Sequence, residues 1–399
     1  MFEYFPNNYV WNLAVVAVLN SGGLIDEVDR ACRPLKEAAA QGDDAGTPDL
    51  LRAWSALTDQ LVEQAEDAVK LGHLTTAGDL YFRATNYLSN AERMLAASDP
   101  NRTDTYRRVL TLAERSFELR DPQVTRVEIA FEGATLPAYY SAAATAGDPA
   151  PAIVLVNGLD STKEHMYNSG HWKELATRGI SCLMLDQPGT GEALRLRGIT
   201  ARIEAETWAA AAVDWLEARD DVDTSRIGIV GWSLGGYYAP RAAAFEKRFA
   251  LCVAWGANHN WGAVQRRRLK REGERPVPHY WEHVLWVWGC DDLDSFIELA
   301  DDVHLDGVVE HIEVPFLVVH GANDRQIPLE YAHRSYEQAV NAPIRELRVF
   351  TPEEGAAEHI GLDHLPHAST FIADWVADVF HGQEPAISSR EGASSNSGS

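Results

Sequence analysis

The chain has 399 residues, 46% of them hydrophobic, and a formal net charge of −24. That length and apolar fraction are ample for a large core, and the acidic balance excludes a nucleic-acid partner and binding to an anionic membrane surface. The four cysteines, Cys32, Cys182, Cys252 and Cys290, have neither C-x-x-C pairing nor metal-ligand spacing, and they read as small apolar side chains in a reducing compartment.

In chain order, Met1-Phe2-Glu3-Tyr4-Phe5 lacks the basic start of a signal peptide, and the apolar run 13–19 is too short to span a bilayer. A cytoplasmic location is expected. Residues 1–120 read as a helical N-terminal domain. Leu61, Val62, Ala65, Ala68 and Val69 recur at helical spacing within 58–70, and further helices are expected over 74–97 and 103–119. Asp121-Pro122 breaks the pattern and opens a catalytic domain, 121–382. Residues 124–131 and 136–140, separated by Glu132-Gly133, read as a hairpin. Short β-rich runs follow at 152–156, 182–185, 227–230, 251–254, 316–319 and 347–350. Helices are expected over 204–217, 237–245, 328–339 and 368–380. This is the rhythm of an α/β fold: a doubly wound, mostly parallel sheet with a helical N-terminal domain.

Residues 256–311 interrupt the rhythm and read as an inserted lid. Trp255, Trp261, Trp281, Trp286 and Trp288 lie in or beside it, and at least two of them are expected to line a pocket. Arg266-Arg267-Arg268-Leu269-Lys270-Arg271 reads as a solvated helix face. The tail, 383–399, is expected to be disordered, because it becomes Ser/Gly-rich and loses its apolar pattern.

Gly231-Trp232-Ser233-Leu234-Gly235 follows an apolar strand. The glycines let a strand turn sharply into a helix and leave the Ser233 hydroxyl exposed at the sheet edge. A serine nucleophile needs a base, an acid that orients the base, and donors for the developing oxyanion. Asp324 lies in the loop after the 316–319 strand, and His359 in the loop after the last strand; His364 and His367 are competitors close by. The backbone N–H of Leu234 is one expected oxyanion donor, and Leu159 or Gly158 supplies the other. Asp160 beside them is read either as an N-cap of the next helix or as a substrate contact. The Asp186–Gly191 turn and His320 read as structural.

With these residues placed, the chain resembles the α/β-hydrolases typified by 2,6-dihydroxypseudooxynicotine hydrolase, and the fungal hydrolases that shorten polyketides. The resemblance covers about residues 10–380. It rests on Ala77-Gly78-Asp79-Leu80-Tyr81-Phe82-Arg83-Ala84, on Asn157-Gly158-Leu159-Asp160-Ser161-Thr162-Lys163-Glu164, on Gly231 through Tyr238, and on Ala254-Trp255-Gly256. It implies that the helical domain covers the active site and that the protein is a homodimer. Some relatives cleave a carbon–carbon bond next to a ketone, one with a glutamate after the strand that here ends at Trp255. Here that region is Gly256 to Val264, without an acid. His259, Asn260 and Trp261 take its place and, with Asp160 and Trp232, are the expected substrate contacts. The expected enzyme cleaves an ester or ketone C–C bond of a small, largely apolar compound through Ser233, His359 and Asp324, without metal or organic cofactor. Elimination of acetate, as in tetronate antibiotic pathways, would use the same residues. A binding protein on the same scaffold is the non-enzymatic alternative.

Overall fold

The structure is a computed structural model that describes residues 2–143 and 148–383, so the expected disordered tail lies outside the described residues apart from Gln383. Six helices come first: α1 (Tyr9–Asn20), α2 (Ile25–Cys32), α3 (Lys36–Ala39), α4 (Thr47–Lys70), α5 (Leu74–Arg93) and α6 (Arg102–Arg120). The Asn8 side chain caps α1 by accepting the Trp11 N–H. Helix α4 starts earlier than its expected 58–70 span, because Pro48 suits a first turn and Leu50, Trp54 and Leu57 continue the buried stripe through Leu61, Ala65 and Ala68. Helix α5 stops at Arg93, short of the expected 97. These helices share a core of their own, with Trp11, Trp54, Leu61, Tyr87 and Val109 among its members.

The sheet is built from β1 (Val124–Phe131), β2 (Ala134–Ser141), β3 (Ala150–Val156), β4 (Ser181–Leu185), β5 (Val222–Trp232), β6 (Leu251–Trp255), β7 (Phe316–Gly321) and β8 (Arg345–Phe350). Their order across it is β1-β2-β4-β3-β5-β6-β7-β8. The β1–β2 and β2–β4 pairings are antiparallel and all others parallel, as the hairpin and the βαβ rhythm predicted. Short helices α7 (Lys163–Ser169), α8 (His171–Ala176) and α9 (Gly191–Arg195) flank β4, and α10 (Ala205–Glu217) and α11 (Gly235–Phe245) flank β5. Side chains alternate between two apolar layers. Val154, Ile229 and Val318 face a layer that includes α10 and α11; Leu155, Val230 and Leu317 face a layer with α7, α8 and the last helix. Burial on both faces explains why the inner strands β3, β4 and β6 are almost unbroken apolar runs.

Between β6 and β7 the insertion forms α12 (Trp261–Leu269), α13 (Tyr280–Trp288) and α14 (Leu293–Asp301); after β7 come α15 (Leu329–Gln338) and, after β8, α16 (Leu365–Phe380). Arg266 pairs with Asp301 at the surface, as a solvated face would. Arg268 departs from that expectation: it is buried and donates to the Tyr280 hydroxyl at 2.6 Å and the Glu274 carbonyl at 2.9 Å. Helix α1 packs on the 359–364 turn and α5 packs on α7, which brings the N-terminal helices over the carboxyl ends of the strands. Among the described residues no helix is long and apolar enough to cross a membrane.

Candidate active site

Ser233 follows β5 in a left-handed backbone conformation, φ +58°. Its flanking glycines are steric necessities. A Cβ at Gly231 would lie 2.0 Å from the Gly235 carbonyl oxygen, and one at Gly236 would lie 2.3 Å from that of Gly256. The Ser233 N–H donates to the Trp255 carbonyl at 2.8 Å, which ties the turn to β6. This is the strained strand-to-helix elbow the sequence predicted.

The loops after β7 and β8 converge on this serine. His359 Nε2 is 2.8 Å from Ser233 Oγ, and His359 Nδ1 is 2.8 Å from Asp324 Oδ2. Asp324 Oδ1 accepts the backbone N–H groups of Gln326 and Ile327 at 2.8 and 3.0 Å. Burial alone would raise the Asp324 carboxyl, but the adjacent His359, with His320 and the Ile327 N–H, holds it below the usual carboxylate range. His364 and His367 stack on each other instead, and His320 Nε2 bonds the Ile327 carbonyl. The arrangement supplies a hydroxyl, a base within reach of its proton, and a buried carboxylate that orients the base.

Gly158 after β3 approaches so closely that a Cβ there would lie 2.9 Å from Ser233 Cβ. Its N–H donates to Ser161 Oγ at 3.0 Å, so Gly158 is not the free oxyanion donor expected. The Leu159 and Leu234 N–H groups have no acceptor among the described residues and remain the available pair. Ser161, which the sequence reading passed over, also accepts Trp232 Nε1 at 3.0 Å and donates to Asn157 Oδ1 at 2.9 Å, bracing this loop against the elbow. Beneath it the buried Lys163 ammonium is ringed by Glu164, Asp186 and Glu192 at 2.8, 3.0 and 3.2 Å, a structural role for the Asp186 turn.

Asp160 is neither an N-cap nor unpaired. Thr162 occupies the cap position of α7, while Arg93 from α5 donates Nε to Asp160 Oδ2 at 2.6 Å. Burial would raise the Asp160 carboxyl, yet the Arg93 guanidinium, with His283 nearby, brings it down to about 2. A narrow cavity of about 80 Å³ touches Ser233, His359, Gly158, Asp160 and Trp232. Its remaining wall includes Asn86, Asn90 and Arg93 from α5, His165 and Asn168 from α7, and Gln326. These polar groups are interspersed with apolar side chains, Leu13, Ala17, Ile360, Leu362 and Leu365 among them, so the wall offers hydrogen-bonding groups within an apolar surround.

The other expected substrate contacts lie elsewhere. His259 is buried, with Nδ1 on Ser335 Oγ at 2.9 Å and Nε2 on Asp306 at 3.1 Å. Asn260 caps α12 by accepting the Ala263 N–H, and Trp261 packs against Trp288 and Phe296. None of the five tryptophans in or beside the insertion reaches the cavity wall, where Pro276 is the insertion's contribution. Apolar area drives the four rings of the insertion toward the layer between insertion and sheet, while Trp255 packs in the opposite layer against Trp232 and His171. The cavity residues missed in the sequence did leave a signal: Asn86, Asn90 and Arg93 recur at i, i+4 and i+7, a polar stripe on a helix whose last two turns are buried on all sides.

Residues 173–382 match the prolyl oligopeptidase family, and residues 54–263 match FrsA-like esterases, each over more than half of the chain. The chain belongs to both of these α/β-hydrolase families. This hydrolase is 27% identical over 333 residues to 2,6-dihydropseudooxynicotine hydrolase of Paenarthrobacter nicotinovorans, covering 82% of this chain and 83% of the relative. It is 26% identical over 429 residues to hydrolase acrC of Aspergillus aculeatus, covering 95% and 98%. The solved 2,6-dihydroxy-pseudo-oxynicotine hydrolase superposes with a TM-score of 0.76 at 24% identity, over 92% of this chain and 97% of that one. AbyA5 superposes with a TM-score of 0.62 at 20% identity, over 82% and 89%, and these two likenesses speak for the fold. The hydrolase is an enzyme of the serine hydrolase class, as the sequence predicted.

Proposed function

We propose that the enzyme hydrolyses a small carbonyl substrate, most simply an ester, through an acyl intermediate on Ser233. The observation that carries this reading is the unbroken chain Ser233 Oγ–His359 Nε2 and His359 Nδ1–Asp324 Oδ2, each 2.8 Å, opening on one cavity. His359 takes the Ser233 proton as Oγ attacks the carbonyl carbon, and the Leu159 and Leu234 N–H groups receive the oxyanion. His359 then returns the proton to the leaving oxygen, and water releases the acid by the same steps reversed. Asp160 is the sole carboxylate on the described cavity wall, and Arg93 neutralises it. With no further acid to protonate a carbon leaving group, ester cleavage is favoured over C–C cleavage.

Ser233→Ala is expected to lower turnover of p-nitrophenyl acetate by about 10⁵-fold or more. Near-wild-type turnover in that variant would remove the serine from the mechanism. Turnover in ¹⁸O-water separates hydrolysis, which labels the released acid, from elimination, which leaves it unlabelled.

A further inference from the structure

Three buried polar atoms on side chains that line the cavity have no hydrogen-bond partner among the described residues: Oδ1 of Asn90, Oδ1 of Asn168 and Nη1 of Arg93. Their side chains belong to residues only 2%, 4% and 7% exposed. Existing bonds decide which atom is left over in each case. Asn90 Nδ2 donates to the Asn86 carbonyl at 3.0 Å, and Asn168 Nδ2 donates to the Phe82 carbonyl at 3.2 Å. Both amide orientations are thereby set, and each leaves an acceptor oxygen. Arg93 spends Nε on Asp160 and Nη2 on the Pro276 carbonyl at 3.0 Å, so Nη1 is left as a donor. His165 adds a fourth such atom, Nε2, while its Nδ1 lies 3.1 Å from the Thr162 hydroxyl.

Buried polar atoms are almost always satisfied, because each orphan forfeits its hydration without return. Several orphans on side chains that line the cavity of a reactive serine, from α5 and α7 alike, mark a surface shaped for a hydrogen-bonding ligand. The two asparagine oxygens need donors, and Arg93 Nη1 needs an acceptor. We propose that Asn90, Asn168 and Arg93 are specificity-determining residues, and that the substrate is a small polyhydroxylated carbonyl compound whose hydroxyl groups donate to the two asparagine oxygens and whose further oxygen accepts from Arg93. The carbonyl in this statement rests on the hydrolytic reading; the polar complement does not.

Two shape-matched esters separate the ideas. Glycerol 1-acetate and 2-methylbutyl acetate differ by two hydroxyls standing in place of two methyls. The wild-type enzyme is expected to prefer glycerol 1-acetate by at least about tenfold in kcat/KM, the discrimination that one hydrogen bond provides. Asn90→Leu and Asn168→Leu should each erode that preference several-fold, mainly through KM, with cleavage of 2-methylbutyl acetate retained. Equal use of both esters by the wild type would overturn the proposal, and so would a preference that survives in both folded variants. If neither ester is cleaved, p-nitrophenyl acetate still decides the hydrolytic reading, and saturation-transfer NMR of both esters with the wild-type protein decides the polar complement. Selective binding of glycerol 1-acetate then supports it, and equal or absent binding refutes it.

Discussion

One methyl group measures how tightly Ser233 is held. The Cβ of Gly158→Ala would sit 2.9 Å from Ser233 Cβ, closer than real contacts allow, and 3.2 Å from its Oγ, which is unusually tight. Displacing the hydroxyl is expected to lower kcat, by up to about 10²-fold if the shift approaches about 1 Å, with the fold intact. Steady-state kinetics beside circular dichroism would check this, and an unchanged kcat would mean that the loop yields without disturbing the serine. At this scale much was legible in the sequence. Ser233, Asp324 and His359 each follow a strand directly, and a strand's end is a local property of apolar runs and glycines. Gly158 was legible as a close approach but not as a spent donor, because Ser161 takes its N–H through a loop whose shape is not local.

At the level of elements, the Arg93–Asp160 bond joins α5 to the loop after β3 across 67 residues. Both side chains are buried, so Arg93→Met would leave an uncompensated carboxylate. It is expected to cost about 3–5 kcal/mol, while adding Asp160→Asn should recover much of the loss. Urea unfolding of the single and double variants tests this; additive losses would show that the two residues do not depend on each other. Since Asp160 sits at about 2 when folded against 3.8 as its ordinary value, its contribution is complete above about pH 4 and disappears as pH falls through 2. The boundaries of α4 and α5 were the least legible feature of the helices, because the packing between the helices, not propensity, decides where each ends.

Across the whole molecule, three desolvated histidines, His165, His171 and His283, are expected to make the fold sensitive to mild acid. Burial pushes His165 down to about 4, and His171 and His283 to about 3, from 6.5. A depressed histidine favours folding while it stays neutral, so the stability is present above the unfolded value of 6.5 and is lost as pH falls toward the folded values. Each contributes a slope of about 1.4 kcal/mol per pH unit within that window, roughly 4 for the three together. Urea midpoints should therefore drop steeply between pH 6.5 and 5, before most carboxylates titrate, and a flat profile there would contradict neutral burial. His283→Phe should flatten the slope.

The strand sequence, the elbow and the order Ser233, Asp324, His359 were set by the sequence alone, because apolar periodicity and the steric demands of glycine act over a few residues. Tertiary structure alone decided what surrounds them. It turned His259, Asn260 and Trp261 to structural duties, withdrew the insertion's tryptophans into the layer against the sheet, and set Asn86, Asn90 and Arg93 of a distant helix on the cavity wall. The i, i+4, i+7 spacing of those three is local, but which cavity the stripe faces is not, because only packing of the N-terminal helices over the strand ends determines that.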